Sequence, residues 1–263
     1  MSKVAAQLYT VREFLKTAKD FAASLKKLHD IGYRAVQFSA VGCMNGDSPE
    51  VDARLARRMM DDLGIRCIAT HRSPEDLAAK TDAEIAFHKE IGCDFCAVGG
   101  APMYARQGGA EGYRRFVGEF QPVIARLKAA GIQFGYHNHA HEFIRSPNGL
   151  RPFDVLVNEG GPDLMMEIDT YWVAQAGANP AKWLRKCAGR IPVIHDKDML
   201  VVEKNDTDMC PVGEGNLEWD EIIAACEAGG TKWHAVEQDR TLKGRDPFDC
   251  LKSSFDFLTA QGL

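Results

Sequence analysis

The chain has 263 residues, of which 45% are hydrophobic and 26% are charged, a balance typical of a globular protein. Lys and Arg number 32 against 37 Asp and Glu, which gives a formal net charge of −5, so no global positive field favours a nucleic-acid backbone. No apolar run approaches the length of a membrane span, and the opening MSKVAAQLYTVREF lacks the layout of a signal peptide. We therefore expect a cytoplasmic protein that binds neither nucleic acid nor membrane.

The predicted elements follow a pattern that recurs along the chain: a helical stretch ends in glycine, and a short apolar run follows at once. Glycine suits the left-handed end of a helix, and runs rich in Val, Ile, Phe and Cys suit strands buried on both faces. With an opening strand, the pattern predicts strands at 3–10, 33–38, 65–70, 93–98, 132–137, 162–168, 190–195 and 231–237. The segments between them carry apolar residues at helical spacing, as in 11–25 and 51–63.

Eight strands alternating with about eight helices predict an α/β fold, the (β/α)8 TIM barrel. An open doubly wound sheet is the alternative, and it is disfavoured because TVRE rather than a glycine-rich phosphate turn follows the first strand. No linker or charge block divides the chain, so residues 1–263 are expected to form a single domain. The eight cysteines are scattered through apolar runs, which predicts free, buried thiols rather than a disulfide scaffold.

The last four predicted strands end in side chains that can bind a metal ion. These are His137, His139, His141 and Glu142 in YHNHAHEF; Glu167 and Asp169 in DLMMEIDTYW; His195, Asp196 and Asp198 in IPVIHDKD; and Glu237 and Asp239 in WHAVEQDR. Strand ends of a barrel converge on its C-terminal face, and carboxylates with one or two imidazoles form a mostly hard site with positions left for substrate oxygens. The pattern predicts one divalent ion, manganese first, with magnesium, cobalt and zinc as alternatives.

Five segments in order, YHNHAHEF, EIDTYWVAQAGANP, HDKD, VGEGNLEWDEI and AVEQD, resemble the sugar phosphate isomerase/epimerase family with a xylose isomerase-like barrel. The metal ligands that this resemblance implies are Glu142, Asp169, His195 and Glu237. It also implies that the two glutamates, Glu142 and Glu237, are the catalytic pair that transfers protons. Several epimerases have a substrate-contacting histidine three residues after the aspartate, and often an arginine six residues after the metal-binding histidine; this chain has Trp172 and Val201 there.

Four further side chains are expected to bind substrate: His137, His139, Lys197 and Trp172. Strand alternation turns His137 and His139 to the same face, where they can hydrogen-bond to substrate or to a metal ligand. Lys197 either stabilises a developing enolate oxygen or pairs with Asp196 or Asp198 in a structural network. Trp172 either lines the substrate pocket or only packs.

Some candidates keep a structural alternative. Asp169 precedes a helical run and can serve as its N-cap, and His195 ends a buried strand, where histidine is often a core residue. The glycines of VGEGN can cradle a phosphate with their backbone amides or form a plain turn before the helix near Leu217.

The predicted reaction is isomerisation or epimerisation of a sugar, a sugar phosphate or a related keto compound, through proton removal beside a carbonyl and a metal-stabilised enediolate. The same site can eliminate a β-hydroxyl or β-alkoxy group, which makes a dehydratase or lyase the nearest alternative. DNA endonuclease activity is disfavoured by the acidic balance, and a sugar-binding barrel without turnover is the last alternative. The expected partner is a small carbohydrate or cyclitol. The sequence is also compatible with a homodimer.

Overall fold

The computed structural model describes residues 2–263, apart from the side chains of residues 205 and 243. Its strands are β1 Val4–Gln7, β2 Ala35–Phe38, β3 Arg66–Arg72, β4 Phe95–Val98, β5 Gln133–His137, β6 Leu164–Glu167, β7 Val193–Asp196, β8 Asp198–Val202, β9 Asp206–Cys210 and β10 Trp233–Val236. Its α-helices are α1 Ala18–Ile31, α2 Ala53–Asp61, α3 Pro74–Ala79, α4 Thr81–Ile91, α5 Met103–Gln107, α6 Gly109–Ala129, α7 Pro152–Glu159, α8 Thr170–Gln175, α9 Pro180–Lys186, α10 Trp219–Gly229 and α11 Pro247–Ala260.

Within residues 2–263, eight parallel strands form one sheet in the order β6-β5-β4-β3-β2-β1-β10-β7. The two end strands approach each other through backbone hydrogen bonds from Met166 to Arg190 (2.8 Å) and from His195 to Ile168 (2.9 Å). The sheet is therefore a nearly closed (β/α)8 barrel, which confirms the predicted fold; the open doubly wound alternative is wrong. All eight strands direct their carboxyl ends to the same face, where the active site of such a barrel lies.

A glycine lies between each barrel strand after the first and the helix that precedes it. At each of the seven predicted junctions the glycine has a positive φ, from 62° at Gly64 to 131° at Gly32. A side chain with a Cβ is strained in this backbone region, so glycine can stop a helix and redirect the chain where other residues cannot. The pattern of the sequence therefore predicted the start of each barrel strand after the first to within three residues.

The barrel interior is filled by small side chains around one large ring. A cluster inside the sheet is formed by Ala5, Ala35, Ile68, Ala69, Phe95, Ala97, Val193 and Ala235. A Cβ at Gly135 on β5 would lie 2.5 Å from the Phe95 ring, so glycine at this position makes room for the aromatic side chain. Because this apolar cluster fills the lower part of the barrel, the polar side chains at the strand ends are collected above it.

Three local features complete the comparison with the sequence. Residues Leu8–Phe14 form a 3-10 helix, and α1 begins only after Thr17, whose side chain caps it; the apolar spacing over 11–25 thus spans two elements. The hairpin of β8 and β9, antiparallel and outside the barrel sheet, was not predicted. All eight cysteines are buried and free of disulfides, as expected.

Among residues 2–263, no helix combines the length and apolar character needed to cross a membrane.

Candidate active site

Four side chains from neighbouring strand ends converge on the C-terminal face of the barrel. The atoms of His137, Asp169, His195 and Glu237 that can ligate a metal all lie within 4.8 Å of one another. These residues, which we call the four-residue cluster, end or follow β5, β6, β7 and β10, and all four are buried. The structure thus brings together three of the four ligands that the resemblance implies, and His137 joins them.

Glu142 lies in an adjacent cluster with His139 and His141. Its carboxylate accepts hydrogen bonds from the hydroxyls of Tyr136 (2.6 Å) and Tyr113 (3.1 Å) and from the backbone N–H of His139 (2.7 Å), and the Nε2 atom of His141 lies 2.9 Å away. Burial favours the protonated acid, but the contacts with His141 and Tyr136 outweigh it and lower the pKa of Glu142. The carboxylate is therefore held as an anion within its own cluster, apart from the four-residue cluster.

Asp169 uses its two carboxylate oxygens differently. Oδ1 accepts the backbone N–H of Trp172 at 2.9 Å and caps α8, so the N-cap interpretation is confirmed. Oδ2 lies 3.2 Å from the Nζ atom of Lys197 but makes no hydrogen bond within the described residues. Burial, opposed by Lys197 and reinforced by Glu237, raises the pKa of Asp169 to about 7. Capping thus leaves one oxygen directed into the cluster.

Lys197 is a buried ammonium among three carboxylates. Its Nζ atom lies 3.2 Å from Asp169 Oδ2, 2.9 Å from Glu237 Oε2 and 2.8 Å from Asp239 Oδ1. Burial alone would lower the pKa of the ammonium, but the three carboxylates outweigh that effect and raise it. Lys197 is therefore a fixed positive charge at the floor of the site rather than a nucleophile.

The structure does not pair Lys197 with its sequence neighbours Asp196 and Asp198. Asp196 Oδ2 lies 2.9 Å from His234 Nδ1. Asp198 accepts the backbone N–H groups of Gly213 (2.9 Å) and Gly215 (3.1 Å) and the indole N–H of Trp219 (2.7 Å). The two glycine amides of the VGEGN segment are thus occupied by the protein's own carboxylate, which supports the turn and contradicts the phosphate cradle.

Behind the cluster lies a polar network that the sequence analysis missed in part. His195 contacts Glu237 Oε2 through Nδ1 (2.9 Å) and Gln37 Oε1 through Nε2 (3.0 Å). Gln37 donates to Glu167 Oε1 at 2.8 Å, and His71 contacts the other oxygen of Glu167. Burial disfavours charge at both His195 and Glu167, but their mutual attraction and further partners raise the pKa of His195 and lower that of Glu167 to about 2.

A cavity of about 320 Å³ opens onto the cluster. Its lining residues are Tyr9, Ser39, His71, Arg72, Gly99, His137, His139, Lys197, Glu237 and Asp239. His137 and His139 share this cavity, as strand alternation predicted, and burial lowers the pKa of His139 to about 4. Trp172 is not among the lining residues; its ring packs 5.4 Å from the His139 ring and 5.4 Å from Lys197 Nζ.

The chemistry of these groups fits a divalent metal ion. Four buried or partly buried carboxylates in this region of the described structure share two cations. Lys197 pairs with Asp169, Glu237 and Asp239, and His195, whose pKa is raised, contacts Glu167 and Glu237. A divalent ion would balance the remaining negative charge and would displace the proton of His195. Burial, with His195 next, lowers the pKa of His137, so its imidazole is neutral as a metal ligand must be. Two imidazoles with two carboxylates suit manganese, cobalt, iron or zinc.

A family model described as "Xylose isomerase-like TIM barrel" matches residues 25–260 of the chain. A comparison with curated proteins gave no match.

Solved structures share the fold over nearly the whole chain. Two sugar phosphate isomerase/epimerase proteins of Parabacteroides distasonis superpose with TM-scores of 0.82 and 0.80, at 21% and 24% identity. The first match covers 99% of this chain and 94% of the other, and the second covers 98% of each. A probable 3-DHS dehydratase of Bacillus anthracis superposes with a TM-score of 0.73 at 14% identity, covering 98% of this chain and 99% of the other. At these identities the likeness is one of fold.

Proposed function

Because the chain belongs to the xylose isomerase-like TIM barrel family, we propose that it is a divalent-metal-dependent isomerase or epimerase acting on a sugar, a sugar phosphate or a related keto compound. The observation that carries the proposal is the four-residue cluster, whose potential ligand atoms lie within 4.8 Å of one another beside a cavity of about 320 Å³. Concave sites with convergent polar groups are where small substrates bind.

The residues proposed to hold the metal are His137, Asp169, His195 and Glu237. Asp169, His195 and Glu237 are the ligands that the family resemblance implies, and His137 takes the fourth position because it lies with them, whereas Glu142 is held elsewhere by tyrosines. Manganese is the proposed ion. When bound, a divalent ion supplies positive charge beside the substrate oxygens on which negative charge develops.

Glu237 is the proposed base that removes the proton beside the carbonyl. Its side chain lines the cavity, and Lys197 and His195 outweigh the effect of burial and keep its pKa well below the usual range. The carboxylate is therefore ionised and positioned at the cavity wall. Lys197, whose ammonium lies 2.9 Å from Glu237 Oε2, would stabilise negative charge that develops on the substrate after proton transfer.

The second proton-transfer group is proposed to be the pair of His139 and Glu142. Glu237 has taken a proton, so the second group must return one to the enediolate. His139 lines the cavity, and its protonated ring would be the donor, although burial lowers its pKa to about 4. Glu142 accepts the backbone N–H of His139 at 2.7 Å and provides a nearby negative charge that favours the protonated ring. Glu142 thus positions and charges His139, which meets the substrate.

Elimination from the same enolate is the second candidate reaction. Removal of the proton by Glu237 leaves an enolate, and a hydroxyl or alkoxy group on the β carbon can then depart with a proton, giving a new carbon–carbon double bond. A double bond in the product, seen by ultraviolet absorbance or NMR, separates this lyase chemistry from isomerisation.

Solvent exchange tests the proposal directly. The protein is incubated with manganese and a panel of ketoses, cyclitols and sugar phosphates in D2O, and NMR follows loss of the C–H signal beside the carbonyl. Exchange should fall by about 10²-fold or more in Glu237→Gln, with metal retained. Glu221→Gln, a half-exposed glutamate of α10, is the matched control and should exchange at the wild-type rate. Normal exchange in Glu237→Gln at full metal occupancy would contradict the role of Glu237.

A further inference from the structure

A second cavity, of about 290 Å³, adjoins the one at the four-residue cluster. We call it the outer cavity. It lies between the ends of β2 and β3, the loop that follows β2, and α4. Its lining includes Ser39, His71 and Arg72, which also line the first cavity. The two spaces are therefore neighbouring parts of one depression at the mouth of the barrel.

The walls of the outer cavity differ from those of the first. Apolar side chains of Phe38, Val41, Met44 and Phe87 stand beside the polar groups of residues such as Asn45, whereas the first cavity is lined mainly by ionisable residues. Walls that combine apolar side chains with polar groups such as Asp52 and Thr70 suit a sugar ring, because its C–H faces are apolar and its hydroxyls form hydrogen bonds. The proposed proton-transfer groups Glu237 and His139 line only the first cavity, and His71, which lines both, contacts Glu167. The outer cavity can therefore bind a part of the substrate that does not react.

The loop that walls the outer cavity is fixed in place. The backbone N–H of Cys43 donates to Leu15 at 2.8 Å, and that of Val51 donates to Cys43 at 3.0 Å; Cys43 and Val51 are buried. Ala40, at the start of the loop, is held at φ 52°, a backbone region that residues with a Cβ rarely adopt and that persists where the surrounding structure enforces it. The cavity is thus preformed.

The charge at the boundary of the two cavities is neutralised. Arg72 donates through Nε and Nη2 to both oxygens of Glu84, each at 2.6 Å, and its guanidinium lies over the Phe87 ring at 4.6 Å. In such a bidentate pair the carboxylate of Glu84 neutralises the charge of the arginine. Lys197, which lines the first cavity, is paired with three carboxylates. This balance favours an uncharged group in the outer cavity over a phosphate or carboxylate.

We infer that the substrate is an uncharged keto-sugar joined to a second ring, a glycoside or disaccharide, whose second ring occupies the outer cavity while the keto-sugar faces the four-residue cluster. The inference rests on the proposed function for the position of the reacting ring. It adds that the reacting sugar occupies the first cavity and leaves the outer cavity to the second ring.

Binding to known sugars tests the inference. Isothermal titration calorimetry on the manganese-loaded full chain compares D-fructose, D-fructose 6-phosphate and lactulose, a disaccharide in which galactose is joined to fructose. Lactulose should bind at least tenfold more tightly than D-fructose. D-fructose 6-phosphate should bind no more tightly than D-fructose. Asn45→Trp should lower the ratio of lactulose to fructose affinity at least tenfold. Ser48→Trp, an exposed residue of the same loop that does not line the cavity, should leave this ratio unchanged.

Three results would overturn the inference: no lactulose preference in the wild-type protein, including no binding at all; a preference that Asn45→Trp leaves intact; or an equal loss in Ser48→Trp. The proposed function fails by a different result. If lactulose binds as expected but neither lactulose nor D-fructose exchanges a C–H proton with D2O, the result supports binding of the second ring in the outer cavity and contradicts the proposed proton transfer.

Discussion

Replacing Lys197 by methionine removes the one ammonium that balances the carboxylates at the floor of the barrel mouth. Methionine keeps a long unbranched side chain, so the change deletes charge with little change in volume. Lys197 is 1% exposed, and its Nζ atom lies within 3.2 Å of Asp169, Glu237 and Asp239. In Lys197→Met these carboxylates keep their burial and lose their partner.

The size of the effect follows from burial. Removing one member of a buried ion pair costs about 3–5 kcal/mol of unfolding free energy, because the remaining charge is left without compensation. We expect a loss in this range for Lys197→Met when metal is removed with EDTA. Manganese should reduce the loss, because a divalent ion beside Asp169 and Glu237 restores positive charge. A ligand at 100 times its Kd adds about 2.7 kcal/mol to the free energy of unfolding of the wild-type protein. Manganese should add more than this to the unfolding free energy of Lys197→Met.

Urea denaturation in EDTA and in saturating manganese measures both quantities. Lys252→Met is the matched control: its lysine is exposed and pairs with Asp256 one helical turn away, so the loss should stay below about 0.5 kcal/mol in either condition. Two results would refute the reasoning. One is a loss below about 1 kcal/mol for Lys197→Met in EDTA, and the other is a larger loss in manganese than in EDTA.

Three further predictions concern the framework. Asp198→Ala should cost at least about 3 kcal/mol, because several N–H donors including the Trp219 indole lose their acceptor, while metal content should not change; a metal loss equal to that of His195→Ala would argue against a structural role. Gly135→Ala should cost about 1–3 kcal/mol by crowding the Phe95 ring, and a neutral result in urea denaturation would disprove the need for glycine. Burial lowers the pKa of His88 below 6.5, so the unfolded chain binds a proton that the folded chain rejects, and stability falls as the pH drops below 6.5 until the folded pKa is reached. The slope should be at most about 1.4 kcal/mol per pH unit for this group, and an unchanged slope in His88→Gln would contradict the assignment.

The fold could be predicted from local chemistry. Each barrel strand after the first is preceded by a glycine that the structure holds at positive φ, such as Gly92 at the end of α4. That signal is local, and a barrel of this kind repeats it once per unit. The hairpin of β8 and β9 carries no such signal, because its pairing joins residues on either side of a turn within one loop.

The site could be predicted only in part, because ligand convergence depends on where each strand stops. Asp169, His195 and Glu237 follow apolar runs closely and lie together in the structure. YHNHAHEF offers several candidates, and spacing does not tell which one points inward; the structure shows His137 with the others and Glu142 among tyrosines. His71 is the next-to-last residue of β3, as His195 is of β7, so the same rule applied to the earlier strands would have found it.

Metal stoichiometry tests the central claim most directly. The protein is loaded with manganese, dialysed and analysed for metal content per chain, together with His137→Ala, His195→Ala and Glu142→Gln. The account predicts one ion per chain in the wild-type protein and in Glu142→Gln, and at least a tenfold loss of affinity in His137→Ala and His195→Ala. Loss of metal in Glu142→Gln with full occupancy in His137→Ala would contradict it, as would the absence of bound metal from the wild-type protein.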